Sequence, residues 1–127
     1  MTQHYVGTKI VEAWPQSRPN GDGTDELGYA VKYADGYISW SPLLAFEAAY
    51  LPLGHIGGLA PHQQRMLAEY AELDSRLKKL CAFLESEAFQ ALDERERELL
   101  QTQARAMNAY HNALLCRIER FQYANAP

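Results

Sequence analysis

From Pro61 onward the apolar residues keep a strict rhythm, and this limits what the chain can fold into more than any other feature. Met66, Tyr70, Leu73, Leu77, Leu80 and Leu84 step alternately by four and three, the spacing that keeps one stripe along one side of a helix. Pro61 suits the first turn of that helix, where its missing amide costs no hydrogen bond. Ser86 to Leu92 breaks the rhythm, with Phe89 and Leu92 able to plug the end of a hairpin. Asp93 with Glu96 resembles a capping box that restarts the helix. Leu100, Ala104, Met107, His111, Leu114, Ile118 and Phe121 then continue the spacing. The pattern predicts a long antiparallel helical hairpin over 62–127.

With the turn centred near Ala88, the second helix opposes the first only as far as Leu114. Leu115, Ile118 and Phe121 would then overhang and need cover from the sheet region or from another subunit. A homodimer or higher homo-oligomer is therefore expected. The same geometry sets His111, a polar residue on the seam, opposite the neighbourhood of Arg65.

Before Pro61 the period is that of strands. Asp35-Gly36 is a two-residue type I′ turn signal, since both central positions of that turn need φ > 0. Pairing Ala34 with Tyr37 puts Val31 opposite Trp40, with Tyr29, Val31, Tyr33, Ile38 and Trp40 on one face. Ser41-Pro42 should cap and open a helix carrying Leu43, Phe46 and Tyr50. Tyr5 to Trp14, rich in β-branched and aromatic residues, suits a third strand. Pro15 to Asp25 reads as loop, and Leu51 to Pro61, broken by Pro52, Gly54, Gly57 and Gly58, as a linker. The expected architecture is α+β: a small N-terminal antiparallel sheet with a short helix over 1–51, a linker over 52–61, then the hairpin.

The hydrophobic share of 47% is enough for a core in 127 residues, and no stretch approaches the ~18 apolar residues of a membrane span. Met1-Thr2-Gln3-His4 lacks the basic start and apolar run of a signal peptide, so a cytosolic protein is expected. A net charge of −4 argues against coating a nucleic-acid polymer, which needs a basic stripe. Cys81 and Cys116 would lie roughly 30 Å apart along the hairpin, beyond disulfide reach, and are expected as small core residues.

Signatures of catalysis are missing: no Gly-x-Ser-x-Gly elbow, Walker loop or dinucleotide fingerprint occurs. His4, His55, His62 and His111 form no helical i, i+4 ligand pair, so neither a metal nor another cofactor is expected, and the chain reads as a non-enzyme. His111 is either a hydrogen-bonded register residue or the lining of a ligand pocket with Asn108 and Asn112. Arg65, Arg117 and Arg120 are either solvated, paired with neighbours such as Glu69 and Glu119, or phosphate ligands. Trp14, Trp40 and Phe46 are either sheet core or stacking walls. Arginine forks beside aromatic surfaces are what a nucleotide needs.

Gly36-Tyr37-Ile38-Ser39-Trp40-Ser41-Pro42 and Phe46-Glu47-Ala48-Ala49-Tyr50 resemble the sheet region of the phage Thoeris anti-defence one family. His62-Gln63-Gln64-Arg65, Leu73, Leu77, Leu80, Phe83, Phe89, Leu92, Leu99-Leu100, Met107, Tyr110, Leu114, Arg117-Ile118 and Phe121 resemble the helical hairpin that this family shares with a phage anti-CBASS family. Leu43-Leu44 departs from the family, where the position after the proline is often charged. The resemblance implies a sponge acting in the cytoplasm of an infected bacterium. It would bind a glycocyclic ADP-ribose signal or a CBASS cyclic oligonucleotide without cleaving it, as a dimer or larger assembly. A different reading is a phage adaptor that binds a host protein through the hairpin.

Overall fold

The computed structural model describes residues 1–124; the last three residues of the expected hairpin region lie outside them. The chain divides into two compact units, Met1–Leu51 and Pro52–Pro127. Together they give the expected α+β architecture, with a small antiparallel sheet and a short helix followed by long helices.

In the first unit, β1 (Glu12–Pro15), β4 (Gly28–Lys32) and β5 (Ile38–Pro42) form a three-stranded antiparallel sheet with β4 in the middle. The register differs by one residue from the sequence expectation: Ala30 faces Trp40, Val31 faces Ser39 and Lys32 faces Ile38. The turn explains this. Gly36 adopts φ +90° while Asp35 does not have positive φ, so the type I′ turn does not form. Instead Gly36 N–H donates to the Tyr33 carbonyl and Tyr33 N–H to the Tyr37 carbonyl, both at 2.9 Å. Asp35 Oδ1 accepts from the Tyr37 amide at 2.9 Å. This is a three-residue loop closed by a left-handed glycine. Because side chains alternate, one residue of slip moves every β5 side chain to the other face. Trp40 therefore shares a face with Ala30 and Trp14, and Tyr29 and Val31 point the other way.

The expected strand from Tyr5 shrinks to Glu12–Pro15. β4 has five residues, and the turn that ends it leaves no backbone opposite the segment before Val11. The expected loop holds a short ladder, β2 (Arg18–Pro19) with β3 (Asp25–Glu26), carrying an Arg18–Glu26 ion pair at 3.5 Å. Helix α1 (Leu43–Ala49) begins after Pro42, and the Ser41 side chain does not cap it. Ser41 Oγ donates to the Pro42 carbonyl at 3.3 Å, while the Leu43 amide is satisfied by the Leu27 carbonyl at 3.1 Å. Phe46 stacks between Tyr29, 4.3 Å away, and Tyr50, 4.8 Å away.

In the second unit, α2 (Pro61–Leu84) and α4 (Glu94–Ala124) form the hairpin, joined through α3 (Glu87–Gln90). Pro61 opens α2, and Gln63 Oε1 accepts from the Ala60 amide at 3.1 Å. The Gln64 side chain donates to the carbonyls of Ile56 and Leu59, tying the preceding segment to α2. Ser86 caps α3 by accepting from the Phe89 amide, and Phe89 is buried edge-on against Phe83. Asp93 Oδ1 accepts from the Glu96 amide at 2.7 Å and so starts α4.

The seam residues Met66, Leu77, Leu114 and Ile118 are buried, with Leu67, Tyr70, Leu73 and Phe121 packed beside them. Two expectations fail here for one reason. The connection runs through α3 and Leu92, so the mirror point lies near Leu92 rather than Ala88, and partners shift by about two turns. His111 faces Asp74 and Tyr70, not the Arg65 neighbourhood. Ile118, only 3% exposed, packs with Met66 of its own chain. The expected overhang is absent, and with it that reason for a second subunit. Cys81 and Cys116 are free and exposed, not core residues, since both sit off the seam.

Candidate functional site

At the open end of the hairpin the first turn of α2 lies beside the last turns of α4. His62, Gln63, Met66, Arg117, Arg120 and Phe121 line an open groove of about 370 Å³ there. The heptad builds it. Ile118 is buried on the seam, so Arg117 and Arg120 flank it while Phe121, one turn on, closes the floor with Met66.

Both guanidiniums stay available. Among the described residues the Arg and Lys ion pairs are Arg18–Glu26, Arg76–Glu72, Lys78–Asp74 and Arg95–Glu98, and none involves Arg117 or Arg120. Glu69 accepts from the Tyr110 hydroxyl instead, which together with burial holds that phenol above its ordinary value, against the pull of Arg117. The N-terminus of α2 adds the positive end of its dipole, although Pro61 has no amide and those of Gln63 and Gln64 are bonded to the Ala60 carbonyl. Such an arrangement suits a phosphate or another multivalent anion next to an apolar or aromatic group.

The other expected site residues are dispersed. Arg65, Asn108 and Asn112 are exposed and do not line the groove. His111 sits mid-hairpin, its Nε2 2.9 Å from Asp74 Oδ1 and its ring 4.7 Å from Tyr70. Asp74 also meets Lys78 at 2.8 Å; this bond first, and His111 second, hold its carboxyl below the usual range. That is a cross-helix register contact.

Trp14, Trp40 and Phe46 belong to the sheet unit. Trp40 Nε1 donates to the Gln16 carbonyl at 2.7 Å, and the Arg18 guanidinium lies 3.9 Å from its ring centroid. Its other side rests on Gly28, where a Cβ would come within 2.3 Å of the ring. Phe46 stacks on Tyr29, on the opposite face from Trp40, so the two do not form one wall.

Among the described residues no cluster of three or more His, Cys, Asp or Glu could hold a metal ion, and no helix is long and apolar enough to cross a membrane. Reasoning from sequence missed His62, Gln63, Met66 and Phe121 as groove residues. Placing the mirror point at Leu92 would have found them, because it sets Met66 opposite Ile118. No curated protein and no solved structure matches the chain. Residues 60–120, just short of half the chain, match the family model for Sequestin, and the match covers α2, α3 and most of α4 together with five of the six groove residues.

Proposed function

We propose that this protein binds and sequesters a cyclic nucleotide immune signal, of the glycocyclic ADP-ribose type or a CBASS cyclic oligonucleotide, without cleaving it. The observation that carries this reading is the groove itself: two guanidiniums free of carboxylates among the described residues, beside Phe121 and Met66. The Sequestin match over the same helices supports it, since the family's name describes holding a molecule rather than transforming it. The resemblance of both halves of the chain to phage anti-defence proteins supplies the ligand class.

The groove supplies part of the affinity that such a role needs. Titrating a scarce signal needs an affinity near nanomolar, about −12 kcal/mol. Charge-assisted hydrogen bonds from Arg117 and Arg120 contribute about 1.5–3 kcal/mol each, and stacking about 1–3 kcal/mol per base. One groove at about 370 Å³ falls at the small end of ligand sites. It suits a phosphate with its sugar or base, and the rest of the affinity requires contacts beyond the groove. His111, Asn108, Asn112 and Arg65 are left outside the first contacts.

The test is capture and release. The protein is incubated with the cyclic nucleotide, freed of unbound ligand and heat-denatured. Recovery of chemically intact nucleotide is expected. Recovery of cleaved product alone indicates an enzyme, and no capture with no thermal shift across cyclic nucleotides leaves the adaptor reading.

A further inference from the structure

The N-terminal segment has the composition of a strand but nothing to pair with. Tyr5, Val6, Thr8 and Ile10 have strand-forming side chains, yet Tyr5 is 88% and Val6 94% exposed. Regular structure begins only at Glu12. Lys9 anchors the base of this arm, its ammonium 4.4 Å from the Tyr33 ring centroid. Beyond that point the turn at 34–36 has ended β4, so the sheet offers the arm no neighbour on its own side.

The same sheet has an open edge. β5 pairs with β4 on one side alone. The bonds at Tyr33/Tyr37 and Leu27/Leu43 fix which amides face inward. By the alternation of an antiparallel ladder, Ser39 and Ser41 bond to β4, while the amides of Ile38 and Trp40 point outward. Natural edges are guarded by charge or proline against adding a strand. The outer edge of β1 has both, in Glu12 and Pro15. β5 carries no charge and its one proline, Pro42, stands at its last position, and Ile38 is 53% exposed. The arm has no acidic residue and no proline, and Lys9 is its one charged side chain.

We infer that the N-terminal arm of one copy adds as a strand to the β5 edge of a second copy, and that the exchange is reciprocal. The occupant is a second copy because the chain itself supplies both halves, a strand without an edge and an edge without a strand. In its own chain the arm leaves from β1, with β4 between it and β5. Two exchanged arms satisfy the outward amides and cover Tyr5, Val6 and Ile38. This pairing stands apart from the ligand reading, because none of its residues lines the groove.

Amide hydrogen exchange on the full-length protein tests it, read at Ile38 and Trp40 over a dilution series with mass measured by sedimentation. At a total concentration about 100 times the dimer dissociation constant roughly 7% of chains remain monomeric, so exchange at both amides should slow about 15-fold relative to the dilute protein. Removing residues 1–8, or making Ile38→Pro, should give a monomer. The proline deletes an outward amide and leaves the β4 ladder whole; circular dichroism checks that each variant is folded. Three results overturn the proposal. These are free exchange at both amides at every concentration, protection that does not change on dilution, and protection that survives loss of residues 1–8. A dimer formed elsewhere gives the first result and leaves sequestration untouched.

Discussion

The hairpin and the sheet solve the same problem, covering an apolar strip, with different materials. The hairpin buries aliphatic side chains along one repeating seam, so Leu114 is 1% and Ile118 3% exposed. The sheet covers a single middle strand. Ala30 and Val31 are buried, Trp40 lies on the Ala30 face between Gly28 and Arg18, and Phe46 stacks on the opposite face. A seam spreads its stability over many small contacts, whereas the sheet concentrates it in a few large rings. The difference teaches where each unit is fragile: the hairpin to loss of volume, the sheet to loss of one close approach.

Cutting the seam at its most buried point should have the largest effect. Leu114→Ala should cost about 2–5 kcal/mol, read from helical circular dichroism during denaturation. Next comes Gly28→Ala, whose methyl would meet the Trp40 ring and the Ser41 carbonyl oxygen, each at 2.3 Å; a loss of about 1–3 kcal/mol is expected. Tryptophan fluorescence reads it directly, since Trp14 and Trp40, the two tryptophans of the chain, are both in the sheet unit. If Gly28→Ala proved silent, the idea that the sheet depends on one close approach would fail.

A smaller effect belongs to the hairpin turn. Asp93→Ala removes the cap of α4 and should cost about 1 kcal/mol, again read from helical signal. The smallest is a change of pH dependence. Because Lys78 and His111 lower the Asp74 carboxyl from its ordinary value of 3.8, its contribution is complete above that value. It is lost as pH falls through the lowered one. Asp74→Asn should flatten the acid limb of stability measured between neutral and strongly acidic pH. An unchanged acid limb would remove Asp74 from the contacts that hold the two helices in register.

The same contrast explains what was legible beforehand. The heptad announced two helices and nearly every buried seam residue, because a repeat states its face many times over. It could not state the mirror point, since that depends on how Ser86 to Leu92 fold; α3 and the cap at Asp93 moved His111 from Arg65 to Asp74. The sheet was legible as strands but not as faces. One residue, Asp35, declining positive φ was enough to carry Trp40 away from Tyr29 and Phe46. The groove was half legible, with Arg117 and Arg120 named in advance, and His62, Gln63, Met66 and Phe121 hidden until the register was known.

Titration calorimetry with a cyclic ADP-ribose-type nucleotide tests the central claim most directly, comparing the full chain with the Arg117→Ala/Arg120→Ala double variant. Two lost charge-assisted bonds predict a loss of about 3–6 kcal/mol, roughly 10²–10⁴-fold in affinity, with folding intact by circular dichroism. Equal affinity in the two proteins would contradict the account.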